Sequence, residues 1–406
     1  MTQRLPVLVI LLTVLIDAIG IGLILPVMPE LLHEVTGGSL AESAVWGGLL
    51  SAIFAVMQFL FGPLIGGLSD RFGRRPVILI SLVAVAADYV LMALAHTLPL
   101  LVLGRVIGGI ASSTHATANA YMADISRPAD KARNFGLIGA AFGLGFVLGP
   151  LAGGLLGTIS PRAPFWAAAA LAGSNALLGA FVLRETVTEA IRRPFEPGRA
   201  NPFGAFGAVG RLPGMARFLW VYLLYVLALY SYPAVWAFYG AAQFGWDAWT
   251  VGLSFAVFGI GMALVQGVLV APTIRWLGEG RTVLAGMGVD AVSFLFYAVI
   301  TTGWVALLLT PLTALGGVAS PALVAVMSRR VADDRQGELQ GVLASLNAVT
   351  MVASPLVMTQ VFGAFTAGGA LPYWPGMPFV LAAALMLAAM ALFAGRRRAG
   401  AAVAGG

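Results

Sequence analysis

Three acids lie deep within apolar runs of this 406-residue sequence: Asp17 in "VLIDAIG", Asp88 in "VAADYVL" and Asp290 in "GMGVDAV". At 1.5 Å per helical residue, Asp17 is about 16 Å from Pro6 and Asp88 about 18 Å from Pro76. Asp290 follows Arg281 by nine residues, which sets it nearer the cytoplasmic side than the other two. An ionised Asp at the centre of a bilayer-spanning helix costs about 2.5–3.5 kcal/mol. Three such groups are a liability unless they face protein or water. A medium of low dielectric disfavours a charged carboxylate, so a sequestered acid is suited to take up and release a proton. Proton-coupled transport needs that property; the plainer alternative is an Asp that only bonds a neighbouring helix.

Arg105, in "LGRVIGG", is the single base inside such a run. A buried Arg is always charged and needs a counter-ion. It can pair with an acid and release it on protonation, or snorkel to the nearby end of its run. Gly104, Gly108 and Gly109 leave room beside it. Gln58, His115, Asn119 and Gln266 are the other large polar groups in apolar runs. Each can hydrogen-bond a substrate or a helix. The segment "YLLYVLALYSYPAVWAFY" is rich in rings that can stack on a flat substrate or anchor at an interface. No cysteine is present, and the three His have no metal-ligand spacing. With no nucleophile–base pair either, an enzyme is not expected.

The elements that position these groups follow from composition. The chain is 60% hydrophobic and 10% charged, with mean hydropathy +0.93. A soluble surface needs more charge than that, so the bilayer is the expected solvent. Twelve runs are long enough to span it: 6–32, 44–67, 76–96, 98–122, 135–158, 163–184, 218–240, 250–273, 282–302, 304–327, 340–363 and 376–395. Asp17 interrupts the first run and no cleavage site follows, so it is expected to be a retained helix rather than a signal peptide. The long polar interval 185–217 divides the chain into six runs plus six. Of the 23 Lys and Arg residues, 21 fall at the termini or in the even-numbered loops. That bias places both termini and the 185–217 linker in the cytoplasm, and it explains the basic balance without a nucleic-acid partner.

The halves are related by an offset of 205: Pro150 falls on Pro355, Gly136 on Gly341, Gly73 on Gly278, Gly62 on Gly267 and Gly47 on Gly252. Duplicated halves around a midplane site are typical of secondary transporters. Between runs 2 and 3 lies "GGLSDRFGRRP", Gly66 to Pro76. Gly73 permits a turn and Pro76 can open a helix. Asp70 is placed to pair with a base or to cap a helix. With Gly66, Arg71, Arg74 and Arg75 it reads as a cytoplasmic gating loop, and "TIRWLGEGR" is its degenerate second copy. In run 5, Gly145, Gly149, Gly153 and Gly157 recur every four residues beside Pro150 and Gly154. This predicts a smooth, bent helix that packs closely at the interface between the halves.

The string "LSDRFGRRPV" resembles the loop 2–3 signature of the major facilitator superfamily, and "GFVLGPLAGG" the signature of its drug antiporters. Together with "LIDAIGIGLILPVMPELL", "ADYVLMAL", "GRVIGGI" and "RRVADDRQGELQG", these segments resemble the tetracycline–proton antiporters over nearly the whole chain. The resemblance implies an all-α membrane protein: twelve transmembrane helices in two pseudo-symmetric six-helix bundles. It implies export of a tetracycline–divalent metal chelate in exchange for protons. Asp17, Asp88 and Asp290 would then handle substrate or protons, while Asp70, Arg71 and Arg75 would gate. Two positions depart from the pattern: Met262 stands where familiar members carry His, and Ser231 or Tyr232 where they carry Gln. Both lie on the implied substrate path.

The expected organisation is therefore a bundle over 1–184, a cytoplasmic linker over 185–217 and a bundle over 218–406. The expected protein is a monomeric multi-pass carrier of a bacterial inner membrane. It binds no cofactor, draws on the proton gradient, and meets a divalent cation only within a chelated substrate. An exporter of another amphipathic drug or metabolite is the alternative. Symport or facilitated uptake comes next, then a membrane receptor without transport.

Overall fold

The structure is a computed structural model that describes residues 4–112, 114–188, 192 and 201–403. Among the described residues all regular secondary structure is helical, and eleven helical stretches are long and apolar enough to cross a membrane. In the first half of the sequence the helices are α1 (Arg4–Ile24), α2 (Met28–Thr36), α3 (Leu40–Phe72), α4 (Arg74–Leu94), α5 (Leu98–Ala111), α6 (Thr114–Ile125), α7 (Lys131–Gly157) and α8 (Ala163–Val182). In the second half they are α9 (Ala216–Leu229), α10 (Ser231–Phe244), α11 (Ala248–Leu264), α12 (Val270–Leu277), α13 (Glu279–Val299), α14 (Gly303–Thr313), α15 (Ala319–Ser328), α16 (Gln336–Thr366) and α17 (Met377–Val403).

Several expected runs are interrupted, and each interruption has a local cause. Pro26 and Pro29 split the first run into α1 and α2 through a 3₁₀ turn at Leu25–Val27. The fourth run, 98–122, is not one long helix: α5 ends at Ser112, whose hydroxyl donates to the Gly109 carbonyl at 3.0 Å. Short polar side chains that bond their own backbone compete with helix there. Pro233 breaks the seventh run near Tyr230, where the Ser231 hydroxyl takes up the Ala228 carbonyl at 2.6 Å. Pro272 lacks an N–H and crowds the carbonyl four residues back, and a π-helical turn at Val265–Leu269 absorbs the mismatch. In the tenth run Pro311, Gly316 and Gly317 accompany a 3₁₀ stretch at Ala314–Val318.

Two compact units emerge. The first comprises Met1–Gly38, Leu49–Pro202 and Asp247–Ala256; the second comprises Ser39–Gly48, Phe203–Trp246 and Val257–Gly406. Within the first, Val9, Ile10 and Val14 of α1 pack with Ile78 and Leu82 of α4, Tyr121 and Met122 of α6, and Ile138 of α7. Arg162, the one base in an odd-numbered loop, donates to Glu34 at 2.6 Å and to the Ala95 carbonyl at 2.9 Å, joining three connections. Within the second unit an aromatic cluster forms the core: Trp236 lies 4.8 Å from Tyr297, and Phe379 lies 4.9 Å from Tyr239.

The glycine face of α7 lies against two neighbours, α1 and the start of α11. Side chains added at Gly145, Gly149 and Gly153 would overlap the α1 backbone at Leu15, Ile19 and Leu23, so this stripe lets α1 and α7 lie side by side. A stripe repeating every four residues stays on one face, and here α1 covers it. Gly154, one residue on, points about 100° away and meets Ala248 and Trp249 at the start of α11.

Candidate functional site

The first unit brings Asp88 and Arg105 together, as their chemistry requires. Asp88 on α4 is 3% exposed and Arg105 on α5 is 9% exposed. Their nearest charged atoms, Arg105 Nη2 and Asp88 Oδ2, are 3.6 Å apart. That separation is an ion pair but too long for a hydrogen bond, and Asp88 Oδ1 and Arg105 Nε have no hydrogen-bond partner among the described residues. The glycines of α5 make the approach possible: a side chain at Gly108 would occupy the space of the Asp88 carboxylate, and one at Gly104 would crowd Met92 Sδ and Asp88 Oδ1. Gly109 instead admits the α3 backbone at Phe54 and the Met57 side chain. The Arg105 guanidinium also lies over the Phe54 ring, 5.4 Å from its centre. A loosely held, buried ion pair of this kind can be dismantled by one proton.

Tyr89, next to Asp88, connects this site to α1, the helix that carries Asp17. The Tyr89 ring packs on α1 at Gly20, where it fills the place of a side chain, and Gly20 is one helical turn from Asp17. Tyr89 and Phe54 were not singled out from sequence; the adjacency of Tyr89 to Asp88 was the available signal.

The loop "SDRFGRRP" is an ordered network. Arg74 pairs with Asp70, donates to Ser69 Oγ at 2.7 Å and reaches Asp124 at the end of α6 at 3.3 Å. Asp70 thus pairs with a base, and the cap on α4 comes from elsewhere: Glu185 accepts the Arg74 and Arg75 amides at 2.9 and 3.3 Å. Arg75 donates to the Ala180 carbonyl at 2.8 Å. Arg71 is exposed and lies 5.0 Å from the centre of the Phe72 ring, apart from the network. Gly66 contributes its carbonyl to Ser69 at 2.8 Å.

In the second unit Asp290 is 6% exposed at mid-length of α13. Its Oδ2 has no hydrogen-bond partner among the described residues, and the carboxylate lies where a side chain on Gly316 would be. The helix start at Glu279 makes Asp290 central rather than displaced toward one end. Met262 joins Phe258, Val265, Ala314 and Val318 in an apolar cluster. Tyr232 is 8% exposed and stacks on Trp236 at 4.4 Å and near Phe258 at 4.8 Å. Ser231 is fully buried, with its hydroxyl donating to the Ala228 carbonyl of the preceding helix, α9. Gln58 is half-buried on α3, Asn119 half-buried on α6, and Gln266 exposed on the π-helical turn. The His115 side chain lies outside the described residues.

Outside the spans, Asp247 opens α11. Its carboxylate accepts the Thr250 hydroxyl at 2.6 Å and the Thr250 amide at 2.9 Å. These bonds, the hydroxyl's foremost, hold its pKa below the ordinary value.

The sequence matches the Major Facilitator Superfamily over residues 10–355. It is 43% identical over 379 residues to the class C tetracycline resistance protein of Escherichia coli, spanning 93% of this chain and 94% of that protein. To the class G tetracycline resistance protein of Vibrio anguillarum it is 40% identical over 385 residues, spanning 95% and 96%. Among solved structures it is similar to the human organic anion transporter MFSD10 (TETRAN), with a TM-score of 0.70 and 26% identity over 97% of this chain and 100% of that one.

Proposed function

We propose that this chain, which belongs to the major facilitator superfamily and within it to the tetracycline resistance proteins, exports tetracycline as its metal chelate in exchange for protons by alternating access. The observation that carries the reading is the 43% identity to the class C protein over nearly the full length. The family is one of transporters, not enzymes, and the chain is a multi-pass membrane protein. We assign it twelve spans in two six-helix bundles, 1–184 and 218–406, joined by the 185–217 linker. We assign it to a bacterial inner membrane, with both termini cytoplasmic, acting as a monomer without a bound cofactor.

The Asp88–Arg105 pair supports the coupling role. Protonation of Asp88 removes the attraction that holds Arg105, so proton binding and helix position are linked. Asp17 and Asp290 are the further candidates for proton or substrate handling. If a singly charged substrate leaves as one proton enters, charge movement cancels, and a tenfold proton gradient supplies about 1.4 kcal/mol. Everted vesicles carrying the protein are expected to alkalinise on addition of tetracycline with magnesium. Transport of the drug with no proton movement would reject antiport.

One observation favours a second reading, export of another amphipathic drug. Met262, where the resemblance implies His, and Tyr232, which with Ser231 stands where it implies Gln, are packed in apolar and aromatic clusters. Unchanged sensitivity to every tetracycline, with resistance to another compound, would select it.

A further inference from the structure

We propose that Glu185, in the linker's opening residues, is a positioning residue of the gating loop, the cap that α4 does not supply for itself. The inference rests on the transport reading above and adds a part to it.

Helix α4 begins after Gly73, which has φ +110° and no side chain to cap the helix. The first amides of a helix have no partner within it. Here Arg74 donates to Glu185 Oε1 at 2.9 Å and Arg75 to Oε2 at 3.3 Å. Pro76 has no amide to satisfy. An anion at a helix N-terminus is also favoured by the helix dipole. The order Gly-Arg-Arg-Pro then has a physical reading. Gly73 makes the turn and the space, two amides bind the carboxylate, and the proline needs no third acceptor. A side chain at position 73 would overlap the Glu185 carboxylate, so Gly73 is required twice over.

The same carboxylate organises its own segment: Oε1 also accepts the Thr186 and Val187 amides, each at 2.9 Å. Thr186 then donates to Asp124 at 3.0 Å, the carboxylate that Arg74 reaches. Tyr121 donates to the Arg184 carbonyl at 2.9 Å, and Arg75 to that of Ala180. Residues 180–187 thus clasp the gating loop and the end of α6 at several points. Among the described residues the second copy lacks this feature. Gly278 starts α13 with a similar backbone, φ +73°, but nothing lies where its side chain would be. The beginning of the linker is therefore a working part of the first gate.

The test uses the full-length protein with Glu185→Ala and Glu185→Gln. Amide exchange in the segment 73–77 is read in detergent without substrate, and proton flux driven by tetracycline with magnesium is read in everted vesicles. For Glu185→Ala, exchange at Arg74 and Arg75 should rise roughly tenfold, the loss of one cap. The maximal flux should fall several-fold with KM little changed, and Glu185→Gln, which keeps an acceptor oxygen, should lie between. Unchanged exchange overturns the proposal, as does faster exchange with unchanged maximal flux. If Glu185→Ala does not accumulate, the Gln variant decides by the same two readings. A wild type that moves no protons with tetracycline counts against the transport reading, whereas the exchange arm needs no substrate.

Discussion

Arg74 and Glu279 hold equivalent places 205 positions apart and carry opposite charges. Each is the first residue of a helix, directly after a glycine of positive φ. Each pairs with a residue that is again 205 positions from its counterpart: Arg74 with Asp124 at 3.3 Å, Glu279 with Arg329 at 3.0 Å. The duplicated unit has kept the contact and reversed its polarity. A tie between the start of one helix and the end of another depends on opposite sign, not on which side is positive.

A charge-swap experiment follows. Arg74→Glu should lower transport sharply, because the group is largely buried and a charge-assisted bond contributes about 1.5–3 kcal/mol. Arg74→Glu combined with Asp124→Arg should recover part of the flux; Asp70, which also binds Arg74, prevents full recovery. Glu279→Arg should be milder, since Arg329 is well exposed and such pairs contribute below about 1 kcal/mol. Initial rates in everted vesicles, corrected for protein amount, separate these outcomes.

Removing one partner of the Asp88–Arg105 pair leaves a buried, unpaired charge. Asp88→Asn is expected to cost about 3–5 kcal/mol of stability for that reason, seen as a lower yield of folded protein. Asp88→Asn with Arg105→Gln should restore the yield and not the proton flux. Recovery of both would deny the pair a coupling role.

Much of this site was legible in the sequence because charge is conspicuous in oil. Asp88, Arg105 and Asp290 stand out from runs that hold almost nothing else polar, and their need for partners follows from desolvation. Glu185 could not be found that way. It lies among "RETVTEAIRR", where an acid is unremarkable, and its partners are backbone amides 111 and 110 positions away. Hydropathy also averages over interruptions. Pro233, Pro272 and Pro311 were visible, but an apolar run scores alike whether it is one helix or two around a turn. The α7 glycines declared a close-packed face without declaring α1 as the neighbour, because a smooth face has no specificity of its own.

Asp290 can be probed without changing any titratable group. A methyl group at Gly316 would overlap its carboxylate, whereas one at Gly317 would meet the Met262 sulfur, the movable end of a flexible chain. Both Gly316→Ala and Asp290→Asn are therefore expected to depress proton flux, with Gly317→Ala close to wild type. Equal behaviour of the two alanine variants would detach Asp290 from this explanation.

Asp247 offers a pH-dependent test outside the membrane. Its pKa is lowered by bonds from Thr250, so it stabilises the folded state above the unfolded value of about 3.9. That contribution is lost as pH falls through the folded value. Asp247→Ala should cost about 0.5 kcal/mol near neutral pH, the low end for an exposed cap. The gap between wild type and variant in thermal unfolding should narrow below about pH 4. A gap that persists there would assign the loss to packing.

The packing of α7 on α1 predicts opposite signs for one substitution at two places. At Gly153 a methyl group would overlap the backbone of Leu23, and backbone cannot turn aside as a side chain can; at Gly143 it would meet nothing. Gly153→Ala must push the helices apart, an overpacking cost of about 1–3 kcal/mol. Gly143→Ala loses no contact and removes the entropy penalty of glycine in a helix, a gain of about 0.5–1 kcal/mol. The two variants differ from wild type by the same atoms, so general effects of hydrophobicity cancel between them. Melting temperatures in detergent should therefore move in opposite directions, down for Gly153→Ala and up for Gly143→Ala. A fall in both would mean that the Gly143 face is covered in the folded protein.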